Sequence, residues 1–160
     1  MGMRLSLVMV GTDEPQRFAG DTAGLFLLLT QSDERVLLHM EKKWHGIHFL
    51  LTGEPWPLSH PLGIAVFGAE DVGEDLGYGP ARTLTVDQVH YVASELSLLS
   101  ADAVRKRYDA QLMMKEMIYP EVWQREGQEA LEWLMSGFER LVRFYSTASG
   151  EQRAVILAIL

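Results

Sequence analysis

Between residues 121 and 147, apolar side chains at 131, 134, 135, 138, 141, 142 and 145 recur at the three- and four-residue spacing of an α-helix. Setting successive residues about 100° apart brings Ala130, Trp133, Gly137 and Phe144 onto an adjoining strip. The apolar arc then covers about half the helix circumference, wider than one packing face requires. Two arrangements satisfy such a helix. Either it is central and buried on two sides of one domain, or its second strip, through Trp133 and Phe144, meets a second copy of the chain in a homodimer.

The 160 residues suffice for one domain with a hydrophobic core, and 48% hydrophobic with 22% charged residues is the composition of a folded chain. The expected organisation is a single domain over residues 1–160. Apolar residues at 3–10 predict a strand ending at Gly11-Thr12-Asp13. Residues 13–29 are ambiguous, with helix favoured after Asp21-Thr22 as a cap. Ser32 is read as the cap of a helix over 33–51, whose apolar positions 36, 37, 40, 44, 47, 50 and 51 keep helical spacing until Gly53, Pro55 and Pro57 end it. Residues 61–67 predict one or two helical turns behind Pro61. The segment 68–80, with its glycines and with Glu70, Asp71, Glu74 and Asp75, is read as an acidic surface loop. A short strand over 80–84 follows, then helices capped by Thr85 and Ser100 and a helical piece at 110–117. The all-apolar run 154–160 suits a buried strand slightly better than a helix. The fold class is therefore α+β: a helix-rich single domain with a small sheet formed by N-terminal, central and C-terminal short strands.

Charge and motifs exclude several function classes. The net charge of −8 is concentrated in residues 1–100, which carry 13 acidic against 6 basic side chains. That repels a phosphate backbone, so no nucleic acid is expected as a partner. The apolar runs fall far short of the roughly 20 residues that span a bilayer. No secretory signal is read at the N-terminus, and the expectation is a soluble, cytoplasmic, acidic protein without membrane contact. With no cysteine there is no disulfide, thiolate metal site or cysteine nucleophile. No Gly-x-Ser-x-Gly elbow, phosphate-binding loop or EF-hand pattern is found. No cofactor is expected.

One constellation carries metal chemistry. On the helix read at 33–51, Glu41, His45 and His48 fall within about 60° of arc, and two imidazoles with a carboxylate are a ligand set for zinc or iron. Against it, residues seven apart lie about 10 Å apart along the axis and converge poorly on one ion. The competing reading is one exposed histidine and one at the core boundary, hydrogen-bonded to backbone or carboxylate.

Five segments carry a resemblance. Met1-Gly-Met3 leads into the first strand and Lys43-Trp44-x-x-x-His48-Phe-Leu-Leu-Thr-Gly53 follows it. Then come Gly77-Tyr-Gly-Pro-Ala-Arg82-x-Leu-Thr85, Met117-Ile-Tyr-Pro120-x-x-Trp123 and Phe144-Tyr145. In this order they resemble the YfbM-like family of small bacterial proteins, a domain of unknown function. The resemblance implies one α+β domain and brings no established activity, cofactor or catalytic residue. Relatives are also suspected of acting as immunity or partner-binding proteins. The family pattern includes Trp44 and His48 but not His45, which removes a ligand from the metal hypothesis.

The candidate binding residues are thus Trp44, His48, Tyr78, Arg82, Tyr119 and Trp123, aromatic bodies with polar tips that suit interfaces and small pockets alike. Their structural alternative is that the rings close the core while Arg82 serves helix carbonyls or the acidic loop. Three functions follow. The first is a non-enzymatic protein-binding domain, of immunity type, whose acidic surface suits a basic partner. The second is a small-molecule-binding protein or hydrolase with a pocket around His48, Tyr78 and Arg82. The third is a metal-dependent enzyme using Glu41, His45 and His48. The balance leans away from an enzyme.

Overall fold

A computed structural model describes residues 2–160. In chain order the elements are β1 (Leu5–Val10), α1 (Glu14–Arg17), α2 (Thr22–Gln31), β2 (Leu37–Glu41) and α3 (Trp44–Thr52). A 3-10 turn at Pro61–Gly63 leads into α4 (Ile64–Phe67), followed by β3 (Glu70–Asp75), β4 (Pro80–Leu84), α5 (Val86–Ser97), α6 (Ala101–Arg105) and α7 (Ala110–Lys115). The chain finishes with α8 (Trp123–Glu126), α9 (Gln128–Gly150) and β5 (Ala154–Ile159). The strands make one antiparallel sheet in the order β2-β1-β5-β4-β3. Its class is α+β, and the N-terminal, central and C-terminal strands are all in it.

Both faces of the sheet are covered, which is why β1 and β5 are apolar almost throughout. On one face, Leu25 and Leu29 of α2 pack on Val8, Val10, Ile156 and Ala158. The other face, through Leu5, Leu7, Val155 and Leu157, carries the main core with α3, α5 and α9. Local signals placed several ends correctly. Asp21 caps α2 through Gly24 N–H, Ser100 caps α6 through Ala103 N–H, and Thr85 with Gln88 forms a reciprocal capping box on α5.

Three expectations are corrected. Residues 33–51 are not one helix: Leu37–Glu41 is a strand paired with β1, and the helix begins only at Trp44. Ser32 accordingly ends α2, its hydroxyl donating to Leu28 O. The acidic segment is an edge strand, not a loop. Val72 is its buried contact, and the surrounding carboxylates blunt an edge that would otherwise offer unpaired backbone. The long helix is broken at Gly127, whose φ of 50° and ψ of −115° divide α8 from α9.

Within α9, Ala130, Gly137 and Phe144 are buried along with the main stripe. Phe144 stands edge-on to Tyr145, and Trp133 is half-buried against Trp123 with Lys43 Nζ 5.6 Å above its ring. The wide apolar arc is therefore covered from two sides by the chain itself. Tyr145 also donates to Ala65 O at 2.7 Å, tying α9 to α4.

Gly46 shows how closely α3 is packed. A Cβ there would lie 2.7 Å from the Trp123 ring and 2.8 Å from Leu134 Cδ2. Overpacking of about 1–3 kcal/mol, offset by about 1 kcal/mol of helix propensity, gives an expected net loss of up to about 2 kcal/mol for Gly46→Ala in urea denaturation. Gly137→Ala is the contrast. Its Cβ would lie 2.7 Å from Lys43 Cδ and 2.9 Å from Ile47 Cδ1; the long, half-buried Lys43 chain has room to shift, so it is expected to cost less than Gly46→Ala.

Candidate functional site

The turn between β2 and α3 decides where the predicted ligands go. Glu41 ends the strand with a φ of 53° and reaches outward to Arg4, 3.3 Å away. His45 and His48 lie on α3, both buried. The three do not share a helix face, and among the described residues no group of three His, Asp or Glu side chains is placed to hold a metal ion.

Each histidine has a defined environment. Tyr119 N–H donates to His45 Nδ1 at 2.8 Å, so that nitrogen carries no proton and Nε2–H donates to Pro55 O at 2.6 Å. Burial lowers the His45 pKa. His48 Nδ1 is buried without a hydrogen-bond partner among the described residues, and its Nε2 lies 3.4 Å from the Thr52 hydroxyl. Burial pushes His48 down to about 4, only partly opposed by the Trp56 carbonyl.

Around His45 the aromatic side chains form a column. Trp56, His45, Trp44 and Tyr119 follow one another with centroid separations of 4.5, 5.0 and 5.7 Å. Phe67 of α4 stands edge-on to Trp44, His48 and Trp56. Trp44 Nε1 donates to Met3 O at 3.0 Å, anchoring the N-terminal segment across the column. The loop 53–60 is held by Glu54, whose carboxylate accepts from the Leu58, Ser59 and His60 N–H groups and from the Ser59 hydroxyl. These bonds, the Ser59 hydroxyl foremost, hold the Glu54 carboxyl down at about 2. The loop so fixed leaves Trp56 half exposed at the rim of a cleft.

That cleft has a volume of about 360 Å³ and is walled by Trp44, Trp56, Phe67 and Tyr78, with Leu157 and Ile159 of β5 at its base. Its charged groups are Arg82 and Asp71, cross-strand partners in the β3–β4 ladder. Arg82 Nη2 donates to Ala69 O at 2.6 Å. Its Nε lies 3.2 Å from Asp71 Oδ1 but is too poorly aligned for a hydrogen bond. Tyr78, exposed at the hairpin tip, also borders a groove on the opposite face of the sheet beside Arg4, His39 and Glu41.

Of the six residues singled out from sequence, Trp44, Tyr78 and Arg82 meet at this cleft. Tyr119 sits one ring behind Trp44, and His48 lies behind the Phe67 ring. Trp123 does not take part. It is buried against Gly46, and its Nε1 donates to Ile118 O at 2.7 Å. Nor does Arg82 serve a helix end: Arg107 fills that role, donating to Leu50 O and Leu51 O of α3. Trp56, Phe67 and Asp71 were missed. A tryptophan fixed between Pro55 and Pro57 in a loop was a usable signal for the first. Phe67 and Asp71 join the site only through tertiary placement and strand register.

Comparison with known proteins adds relatives without an assigned activity. A family model described as a domain of unknown function (DUF1877) matches residues 1–158. No curated protein matches the chain. Among solved structures it is similar to YfbM from Escherichia coli, described as a protein of unknown function. The match has a TM-score of 0.79 and 19% identity, covering 99% of this chain and 100% of that one. At that identity the likeness speaks for the fold alone.

Proposed function

The chain belongs to the DUF1877 family, and from the geometry of its cleft we propose that it is a ligand-binding domain that takes a flat apolar group among Trp44, Trp56, Phe67 and Tyr78. The observation that carries this is the enclosure of about 360 Å³ by four aromatic side chains with one ion pair beside them. Small-molecule sites have this composition, mostly apolar walls with a few placed polar groups, and begin at about 300 Å³. Binding is favoured over hydrolysis because His48, the sequence's best candidate base, is fully buried behind Phe67 and does not line the cleft.

Protein binding is the second reading. It is favoured by the exposed Trp56 and Tyr78, which share the cleft with Asp71 of β3. A stable protein interface buries about 800 Å² on each partner, and a cleft of this size more closely matches a small molecule.

The test is ligand-observed NMR with indole. A fragment of about nine atoms is expected to bind in the millimolar range or weaker. Trp56→Ala removes one wall worth about 1–2 kcal/mol of contact and stacking, so indole affinity should fall about tenfold while the half-exposed position leaves the fold intact. No indole signal at several-millimolar ligand, or an unchanged affinity in Trp56→Ala, would reject this function.

A further inference from the structure

We propose that the cleft's ligand is a free amino acid with a large apolar side chain, its carboxylate met by Arg82 and its ammonium by Asp71. The assignment rests on the ligand-binding reading above and gives that site a substrate class.

The ion pair is incompletely used. Arg82 spends Nη2 on Ala69 O, while Nε is buried without a hydrogen bond and Nη1 has none among the described residues. Asp71 accepts no hydrogen bond among the described residues and is held only by the guanidinium 3.2 Å away. Its side chain is 65% exposed and that of Arg82 37%, so both present polar atoms to a ligand. Nε is shielded, so Nη1 and the Asp71 carboxylate are the groups a ligand would meet.

The sign of the charges then selects the ligand. A simple carboxylate approaching Arg82 meets Asp71 at close range, and a simple amine approaching Asp71 meets Arg82. Like charges at such distances oppose binding in either case. A molecule carrying an ammonium and a carboxylate on one carbon satisfies both partners at once. An α-amino acid has that arrangement, and its side chain leaves the same carbon in the direction of the rings. The cleft volume, near the lower end for small-molecule sites, fits a ligand of about a dozen non-hydrogen atoms. Because such a ligand has no net charge, the protein's charge of −8 neither steers nor repels it strongly.

The test compares four compounds on the wild-type protein by calorimetry or ligand-observed NMR: L-phenylalanine, N-acetyl-L-phenylalanine, L-phenylalaninamide and N-acetyl-L-phenylalaninamide. L-Phenylalanine is expected to bind in the millimolar range, about tenfold more tightly than either singly blocked compound, the loss of one charge-assisted hydrogen bond. Asp71→Asn should weaken L-phenylalanine about tenfold yet leave N-acetyl-L-phenylalanine equal or tighter, since the competing carboxylate is gone. Arg82→Gln should do the converse for L-phenylalaninamide. Should Arg82→Gln not fold, the wild-type series decides alone.

Equal binding of all four compounds would overturn the amino-acid assignment while leaving a cleft for apolar groups. Binding of one singly blocked compound as tight as that of L-phenylalanine would replace it with recognition of a peptide terminus. Binding of none of the four, and none of indole, would reject the cleft as a site altogether.

Discussion

Replacing Trp123 with alanine is expected to lower the unfolding free energy by about 3–5 kcal/mol, a large part of the roughly 5–15 kcal/mol that holds a domain together. The ring is completely buried. It fills the space over Gly46, meets Trp133 and Tyr108 at centroid distances of 6.4 Å, and gives Ile118 O a hydrogen bond. Alanine leaves a cavity and removes one of the two donors to Ile118 O, the other being Glu121 N–H. Trp123→Phe separates the two losses: most of the volume stays while Ile118 O keeps only Glu121 N–H, so the lost hydrogen bond is expected to cost about 1 kcal/mol. Urea denaturation followed by circular dichroism measures both. Because Trp123 stands apart from the cleft, Trp123→Phe should bind indole as the wild type does. A folded Trp123→Phe protein that no longer binds it would return Trp123 to the site.

Acid is the second strong perturbation. His48 takes up its proton at about 4 in the folded chain against an ordinary 6.5, because burial disfavours the imidazolium. Between those values the unfolded chain binds more protons, so stability must fall as pH falls. The contribution is intact above about pH 6.5 and is lost progressively down to about pH 4, amounting to up to about 3 kcal/mol. His45, lowered by its own burial, adds in the same direction. Glu54 does not confuse the window. Its depressed pKa of about 2 means that its contribution is present above about 4.5 and lost only as the pH falls towards 2. Urea midpoints at pH 8, 6 and 5 should therefore decline for the wild type. His48→Leu removes both the titration and the unpartnered Nδ1, and its decline should be clearly shallower. Parallel curves for the two proteins would show that His48 is not the group responsible.

How much of this could be read in the sequence depended on whether neighbouring residues competed for the same pattern. Asp21, Thr85 and Ser100 each cap a helix through a bond three residues away, and such signals are fully local. The segment 33–51 failed for the opposite reason. Buried Leu38 and Met40 fit a strand's alternation and, with Trp44 and Ile47 beyond them, also fit a helix's period. Only the turn at Lys42-Lys43 separates the two, and it carries neither glycine nor proline. At 70–75 the carboxylates masked a strand because an edge strand needs few apolar residues, here Val72. The site was half legible. Trp44, Tyr78 and Arg82 were taken from the segments that carry the family resemblance and do meet, whereas Asp71 faces Arg82 only because two strands pair in one register. His45 was set aside as incidental, yet its ring lies between Trp56 and Trp44, and its two nitrogens tie Pro55 to Tyr119.

The sheet order has a consequence for how the protein is made. β5 is the last strand in the sequence and the middle one in space, with β1 on one side and β4 on the other. Until residues 154–159 have left the ribosome, the β1–β2 and β3–β4 pairs have no shared ladder. The nascent chain must hold the apolar β1 unpaired along one side, with Val8 waiting for Ile156. Such distant pairing slows folding and leaves unpaired edges exposed to aggregation. A ribosome stalled just before residue 154 should therefore carry a chain that is protease-sensitive throughout and bound by chaperones, and release of the final strand should close the whole domain in one step.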